Sequence, residues 1–220
     1  MIAPAKPAGK GTTSFVYELK ITLSDVEPAV WRRLRVPGNA NLGWLHAVIQ
    51  VAMGWTNSHL HQFEAGGRNY ANPHFELESP GGSPPVADER GATLQKVVPK
   101  LKDHLIYEYD FGDSWLHVIA VEKITPAAPG AALVAQCLDG ARACPPDDCG
   151  GPPGYDDLLR ILGNPKHEEH ESMKEWLDRP FDPDAFDPIK INRYLGRLKW
   201  PNVTEGQLGR VLMARDGAAK

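Results

Sequence analysis

Apolar and polar residues alternate along Phe15–Leu23: Phe15, Tyr17, Leu19, Ile21 and Leu23 take one side, and Val16, Glu18, Lys20 and Thr22 the other. A period of two is the mark of a strand with one buried face. Residues 30–36 predict a second strand, with Val30, Leu34 and Val36 on one face and Trp31, Arg33 and Arg35 on the other. Arg32 falls on the apolar face and breaks the pattern. Pro37 and Gly38 end the strand. The period then lengthens: Leu42, Leu45, Val48, Ile49, Ala52 and Met53 recur at helical spacing. Asn41 can cap this helix, and Gly54 stands where it stops. Residues 59–65 predict a short strand closed by Gly66 and Gly67, and residues 93–98 a short helix. Residues 80–85 and 125–135 read as loops. Residues 105–110 and 115–124 flank a turn at 111–114, the clearest hairpin in the chain.

Residues 137–153 read as loop, because Pro145, Pro146, Pro152 and Pro153 stand among glycines. Helices are expected at 155–162, 168–177, 187–198 and 203–214. Strands therefore dominate the first half and helices the second. This order predicts an α+β fold: a mixed or antiparallel sheet built mainly from the N-terminal half, helices packed on it, and a helical C-terminal region. The expected organisation is a disordered leader at 1–14, one domain at 15–200, and a C-terminal helix and tail at 201–220.

Composition changes this picture little. The 220 residues are 42% hydrophobic and 24% charged, ordinary for a globular chain. A formal net charge of -4 argues against bulk, non-specific duplex binding, though not against a local basic patch. No stretch approaches the ~20 apolar residues of a membrane span. Three cysteines without an export signal point to a reducing, cytoplasmic setting.

Candidate chemistry gathers in three segments. In the first, His59 and His61 would share a strand face beside Trp55 and present two imidazoles to one ion. Solvated histidines on a strand edge are the plain alternative. In the second, Asp110 and Asp113 bracket the hairpin turn, Gly112 can supply a positive φ, and His117 follows Trp115 on an apolar face. Asp110, Asp113 and His117 are the catalytic candidates. Carboxylates that only cap turn N–H groups, and a core histidine, are the alternatives. In the third, Cys137, Cys144 and Cys149 lie with Asp147 and Asp148 on a proline-stiffened loop ending at Tyr155. The thiols are spaced by seven and five positions, without a Cys-x-x-Cys pair, so a zinc knuckle and a self-packed loop both stay open.

The candidate metal ligands are thus His59, His61, Cys137, Cys144, Asp148 and Cys149, and zinc or another divalent ion is the cofactor such residues would take. Trp31, Arg33 and Arg35 form the dense basic strip, suited to stacking a base or pairing with phosphate, or to guarding an edge strand. Trp55, Tyr109, Trp115 and Tyr155 complete the binding candidates.

The motifs Tyr17-Glu18-Leu19-Lys20-Ile21, Pro28-Ala29-Val30-Trp31-Arg32-Arg33, Leu45-His46 with Ile49-Gln50, Met53-Gly54-Trp55 and His59-Leu60-His61-Gln62-Phe63 occur in this order. They are followed by Tyr107-x-Tyr109-Asp110-Phe111-Gly112-Asp113-x-Trp115-x-His117 and by Cys144-Pro145-Pro146-Asp147-Asp148-Cys149-Gly150-Gly151. Together they resemble the plasmid pRiA4b ORF-3-like family over about residues 15–198. Asp147 stands where this family would lead one to expect Glu. The resemblance implies an α+β fold and carriage on plasmids and insertion sequences, whose related passenger proteins bear a resolvase-like label. It implies a context and names no reaction. Two function classes follow. One is a binding or accessory protein in DNA mobility or maintenance, with nucleic acid or another mobile-element protein as partner and no membrane. The other is a metal-dependent hydrolase or nuclease using His59, His61, Asp110, Asp113, His117 and Asp148. Convergence of those side chains within ~5 Å would make room for a metal with an open position.

Overall fold

The two-residue period of the N-terminal half is realised in one sheet. A computed structural model describes residues 14–79, 81, 84–128, 134–177 and 179–217. In it β1 (Phe15–Leu23) pairs antiparallel with β2 (Trp31–Pro37) on one side and β7 (Trp115–Pro126) on the other. The remaining strands are β3 (His61–Ala65), β4 (Arg68–Ala71), β5 (Ala87–Asp88), β6 (His104–Tyr109) and β8 (Gln136–Ala141). Their spatial order is β5-β4-β3-β6-β7-β1-β2-β8. Only the β4–β5 ladder is parallel among the described residues, so the sheet is mixed. Six helices follow in chain order: α1 (Leu42–Met53), α2 (Leu94–Val97), α3 (Gly151–Leu162), α4 (His170–Trp176), α5 (Pro188–Leu195) and α6 (Glu205–Asp216). The fold is α+β, as the order of elements predicts.

Burial alternates strictly along β1, where Tyr17, Leu19, Ile21 and Leu23 face inward. One sheet face is therefore core and the other is open. The core face meets α1, and eleven of the twelve residues of α1 are buried. A helix apolar all round belongs inside a protein, so its polar ends must find protein partners. At the start, Asn41 Oδ1 accepts from Trp44 N at 2.8 Å, and Leu42 N donates to Ala92 O at 2.9 Å. At the end, Gly54 stops the helix with φ 122°. The last carbonyls are met by arginines from elsewhere in the chain. Arg32 Nε donates to Ala52 O at 2.8 Å, its Nη2 to Met53 O at 3.4 Å, and its Nη1 to Trp31 O and Ala141 O, each at 2.8 Å. Arg215 Nη1 donates to Gln50 O at 2.9 Å. The residue that spoils the β2 pattern is thus a cation at a helix C-terminus, where the dipole favours it.

Four sequence expectations need correction. First, β3 begins at His61, not 59, because its ladder to β6 starts with the pair His61–Tyr109. Second, residues 137–153 are not all loop. β8 occupies the edge beside β2, and α3 begins at Gly151 with its prolines in the first turn, where a missing N–H costs nothing. Third, the hairpin turn takes its positive φ at Asp110 (59°) and Ser114 (53°) rather than at Gly112. Gly112 instead brings its N–H within 2.9 Å of Asp110 Oδ1. Fourth, the periodicity marks neither β4 nor β5. The leader, apart from Ser14, and parts of the loops at 80–85 and 125–135 fall outside the described residues.

His117 is buried in the core behind the hairpin. Its Nε2 accepts from Trp55 Nε1 at 3.2 Å, which puts the proton on Nδ1, shared between Trp115 O at 2.9 Å and Tyr107 O at 3.2 Å. Burial pulls its pKa down to about 4.

Two outcomes follow from the core. Arg32→Met leaves buried carbonyls unpaired and is expected to cost about 2–4 kcal/mol in urea unfolding, against less than about 1 kcal/mol for Arg33→Met on the open face. Equal losses would refute the capping role. Between about pH 4 and 6.5 the unfolded chain takes up a proton that folded His117 refuses. Stability therefore rises with pH in that window, at up to about 1.4 kcal/mol per pH unit from this residue. His117→Gln, which still donates and accepts, is expected to reduce the slope by about that amount, and an unchanged slope would contradict it.

Candidate functional site

Three loops meet at one end of the sheet. One leaves α1 at residues 54–60. The second is the turn at 110–114 between β6 and β7. The third, residues 142–150, leads from β8 into α3. Backbone bonds set the first two against each other, since Asp110 N donates to Leu60 O at 2.9 Å and Ser58 N donates to Tyr109 Oη at 3.1 Å. The third loop is fastened twice. Gly150 N donates to Asp113 Oδ2 at 3.1 Å, while Thr56 N (at 3.2 Å) and the Thr56 hydroxyl both donate to Asp147 Oδ2. Gly151 follows with φ 68°, and a Cβ there would stand 2.6 Å from Asp113 O. Any side chain at 151 would push the third loop off the hairpin.

His59 sits where the loops converge. Its Nδ1 is 3.6 Å from Asp110 Oδ2 and its Nε2 is 3.3 Å from Asp148 Oδ1. Both separations exceed the 2.7–2.9 Å or so of a charge-assisted hydrogen bond. One ring nitrogen and one oxygen from each aspartate lie within 4.8 Å of one another. His59 Nε2 and Asp147 Oδ1 are buried without a hydrogen-bond partner among the described residues. Burial also raises the Asp147 carboxyl above its usual range, against the pull of the Thr56 hydrogen bonds. Asn57, Asp110 and Asp148 all hold left-handed backbone, φ 59–61°, a conformation their short polar side chains tolerate. Three carboxylates thus surround one imidazole, with acceptor atoms left over. That donor set suits a divalent cation of the zinc or manganese type.

The aromatic candidates form the wall behind this cluster. Tyr109 meets the His59 ring edge-on at 5.7 Å, and Trp55 packs against Tyr109 at 5.1 Å and Trp115 at 5.4 Å. All three are fully buried, and Tyr155 nearly so. Asp148 also borders a cavity of about 340 Å³, whose lining includes Thr56, Asp147, Trp176, Arg179 and Phe181 but neither His59 nor Asp110.

Of the predicted site residues, His59, Asp110 and Asp148 come together, with Asp113 fastening the loop that carries Asp148. His61 turns inward, its Nε2 2.9 Å from Glu89 Oε2 and its ring stacked on His46 at 3.5 Å. His117 stays one layer deeper, behind Trp55. No thiol shares a three-ligand group among the described residues. Cys137, Cys144 and Cys149 are free, and burial raises the pKa of each, Cys149 to about 12. Trp31, Arg33 and Arg35 lie on the open sheet face. Arg33 pairs with Glu122 at 2.6 Å and Asp139 at 3.1 Å, Arg35 with Glu18 at 3.0 Å, and the Trp31 ring lies beneath Lys20 and Arg33. The sequence reading overlooks two features. Asp147 stands there only as a carboxylate where Glu is expected, and Glu89 lies in a segment with no recognisable motif.

No described helix is long and apolar enough to cross a membrane. The chain is 38% identical over 190 residues to the "Uncharacterized protein y4hQ" of Sinorhizobium fredii, covering 84% of this chain and 94% of that one. Its fold matches the crystal structure of a protein of unknown function, MM3350 from Methanosarcina mazei Go1. There the TM-score is 0.70 and the identity 36%, over 81% of this chain and 97% of the other. The model of the plasmid pRiA4b ORF-3-like proteins matches residues 15–190, the whole sheet and the whole three-loop cluster, and the chain belongs to that family.

Proposed function

We propose that the protein is a metal-dependent hydrolase whose divalent ion is held by His59, Asp110 and Asp148. The observation that carries this reading is the approach of the three donor atoms to within 4.8 Å of one another. Ligands about 2.1 Å from a common ion stand roughly 3.0–3.4 Å apart at octahedral or tetrahedral angles. The 3.3 Å from His59 Nε2 to Asp148 Oδ1 is close to that edge length, whereas Asp110 Oδ2 stands 3.6 Å from the other ring nitrogen, Nδ1, and has to move toward the ion to share it. The unpartnered Nε2 of His59 fits the same reading. When bound, such an ion supplies Lewis acidity for ester hydrolysis.

The chain's own groups divide the remaining work. Asp113 and Thr56 hold the third loop, and hence Asp148, in place. Asp147 lines the cavity and is the nearest proton acceptor to it outside the ligand set. Arg179 also lines the cavity and suits an anionic substrate, a phosphoester above all. The other expectation, a nucleic-acid or mobile-element partner at Trp31, Arg33 and Arg35, has less support, because both guanidiniums already face carboxylates.

Calorimetry and native mass spectrometry with Zn²⁺ and Mn²⁺ test the site. One ion per chain is expected. His59→Ala and Asp148→Asn are expected to weaken binding by at least about 10–100-fold, by the standard set for outer-shell residues. Cys144→Ser and Cys149→Ser are expected to leave it unchanged. A metal-free mass in excess of both ions would overturn the proposal, and loss of the ion in the cysteine variants would move it to the thiols. Hydrolysis of bis(p-nitrophenyl) phosphate is expected only with the ion present and is expected to fall in Asp147→Asn.

A further inference from the structure

A second polar cluster lies on the other side of α1, and the hydrolase reading makes no use of it. Gln50 Nε2 donates to Tyr107 Oη at 2.9 Å, so that hydroxyl donates onward to His46 Nδ1 at 2.8 Å. His46 then carries its proton on Nε2 and donates to Asn57 Oδ1 at 2.7 Å. Asn57 N closes the ring on Gln50 Oε1 at 2.8 Å. Every member is satisfied, and His46 is neutral. Stacked on His46, His61 faces Glu89 Oε2.

His61 Nδ1 is buried without a hydrogen-bond partner among the described residues, and beside it Glu89 is also incomplete. Its side chain is only 6% exposed. Its Oε2 faces His61, but Oε1 takes no hydrogen bond among the described residues, and Glu89 lines a cavity of about 490 Å³. The nearby start of α1 does not employ it: Leu42 N goes to Ala92 O and Trp44 N to the Asn41 side chain. The approach to Oε1 is kept open by Gly43, where an added Cβ would stand 3.1 Å from that oxygen. The charged groups lining this cavity are of both signs, and His74 lies among them. Glu205 joins Glu89, while the Arg90 guanidinium is engaged by Asp88 at 3.1 and 3.4 Å.

We infer that this cavity binds a small primary ammonium compound, with Glu89 Oε1 accepting from the ammonium and Gly43 leaving room for it. The nearby positive charge, Arg90, already pairs with Asp88, so an ammonium group would supply the free Glu89 oxygen with both a charge and a donor. Burial raises the Glu89 carboxyl to about 7, and a bound cation relieves that cost.

The test uses the full chain with n-butylamine and, as its neutral counterpart of like size, 1-butanol, followed by calorimetry and thermal unfolding. Saturable binding of the amine is expected, near about 1 mM, with none of the alcohol. Glu89→Gln and Gly43→Ala are each expected to weaken it at least tenfold. Gly43→Ala suits a helix interior, so it decides the matter if Glu89→Gln does not fold. His59→Ala is expected to bind the amine as the native chain does, which separates this site from the metal reading. Equal binding of the alcohol, no binding of the amine, or amine binding retained in Gly43→Ala would each overturn the inference.

Discussion

Burying a helix that is apolar on every side is the constraint from which the rest of the structure follows. α1 contributes Leu42, Trp44, Leu45, Val48, Ile49 and Met53 to the core, and the sheet closes over it. A helix so placed cannot leave its last carbonyls to water, and each unmet group would cost about 1–3 kcal/mol. The chain meets them with guanidiniums from β2 and from α6, at opposite ends of the sequence. The C-terminal region is therefore part of the core's polar closure as well as a cover for it. The same demand explains a charged residue on the inward face of β2.

The helix also sets the positions of both clusters. Its C-terminal stop at Gly54 sends the chain past Trp55 to His59, at the end of β6 and β7. Its N-terminal turn, through Gly43, stands over Glu89. Between them Gln50 and His46 connect α1 to Tyr107 on the sheet and to Asn57 in the loop. One element thus supports two polar arrangements of different kinds. One is a ring of neutral hydrogen bonds with all members paired. The other is a crowd of carboxylates around His59 with oxygens to spare. Low dielectric strengthens the first, whereas the second opens to solvent through Asp148, whose side chain is 72% exposed.

Much of this is legible in the sequence because burial writes a period. The alternation of β1, the stripe and caps of α1, and the β6–β7 hairpin are direct records of which side chains face inward. The three motif segments are legible too, although each has a bland alternative when taken alone. What escapes is whatever depends on a partner distant in sequence. Arg32 looks like an error until the carbonyls of α1 are in place. His61 looks like a ligand beside His59 until Glu89 draws it inward. Prolines 152 and 153 look like breakers, yet in a first helical turn they are permitted. Glu89 carries no local signal, since its character comes from burial against His61 and Gly43.

The fastening of the third loop sets a limit of another kind. Thr56 and Asp147 are 91 residues apart, and Asp113 and Gly150 are 37 apart, and both attachments are solvent-exposed. The sheet beneath is held by ladders whose inward side chains are buried. Exposed hydrogen bonds open at lower free energy than a packed core. The segment carrying Asp147 and Asp148 can therefore detach while β1, β6, β7 and α1 remain native. The His59 cluster would then come apart in a molecule still folded by every bulk measure, so the lifetime of the site is set by these surface contacts and by the packing of Cys144, Pro145 and Cys149 rather than by the ladders of the sheet.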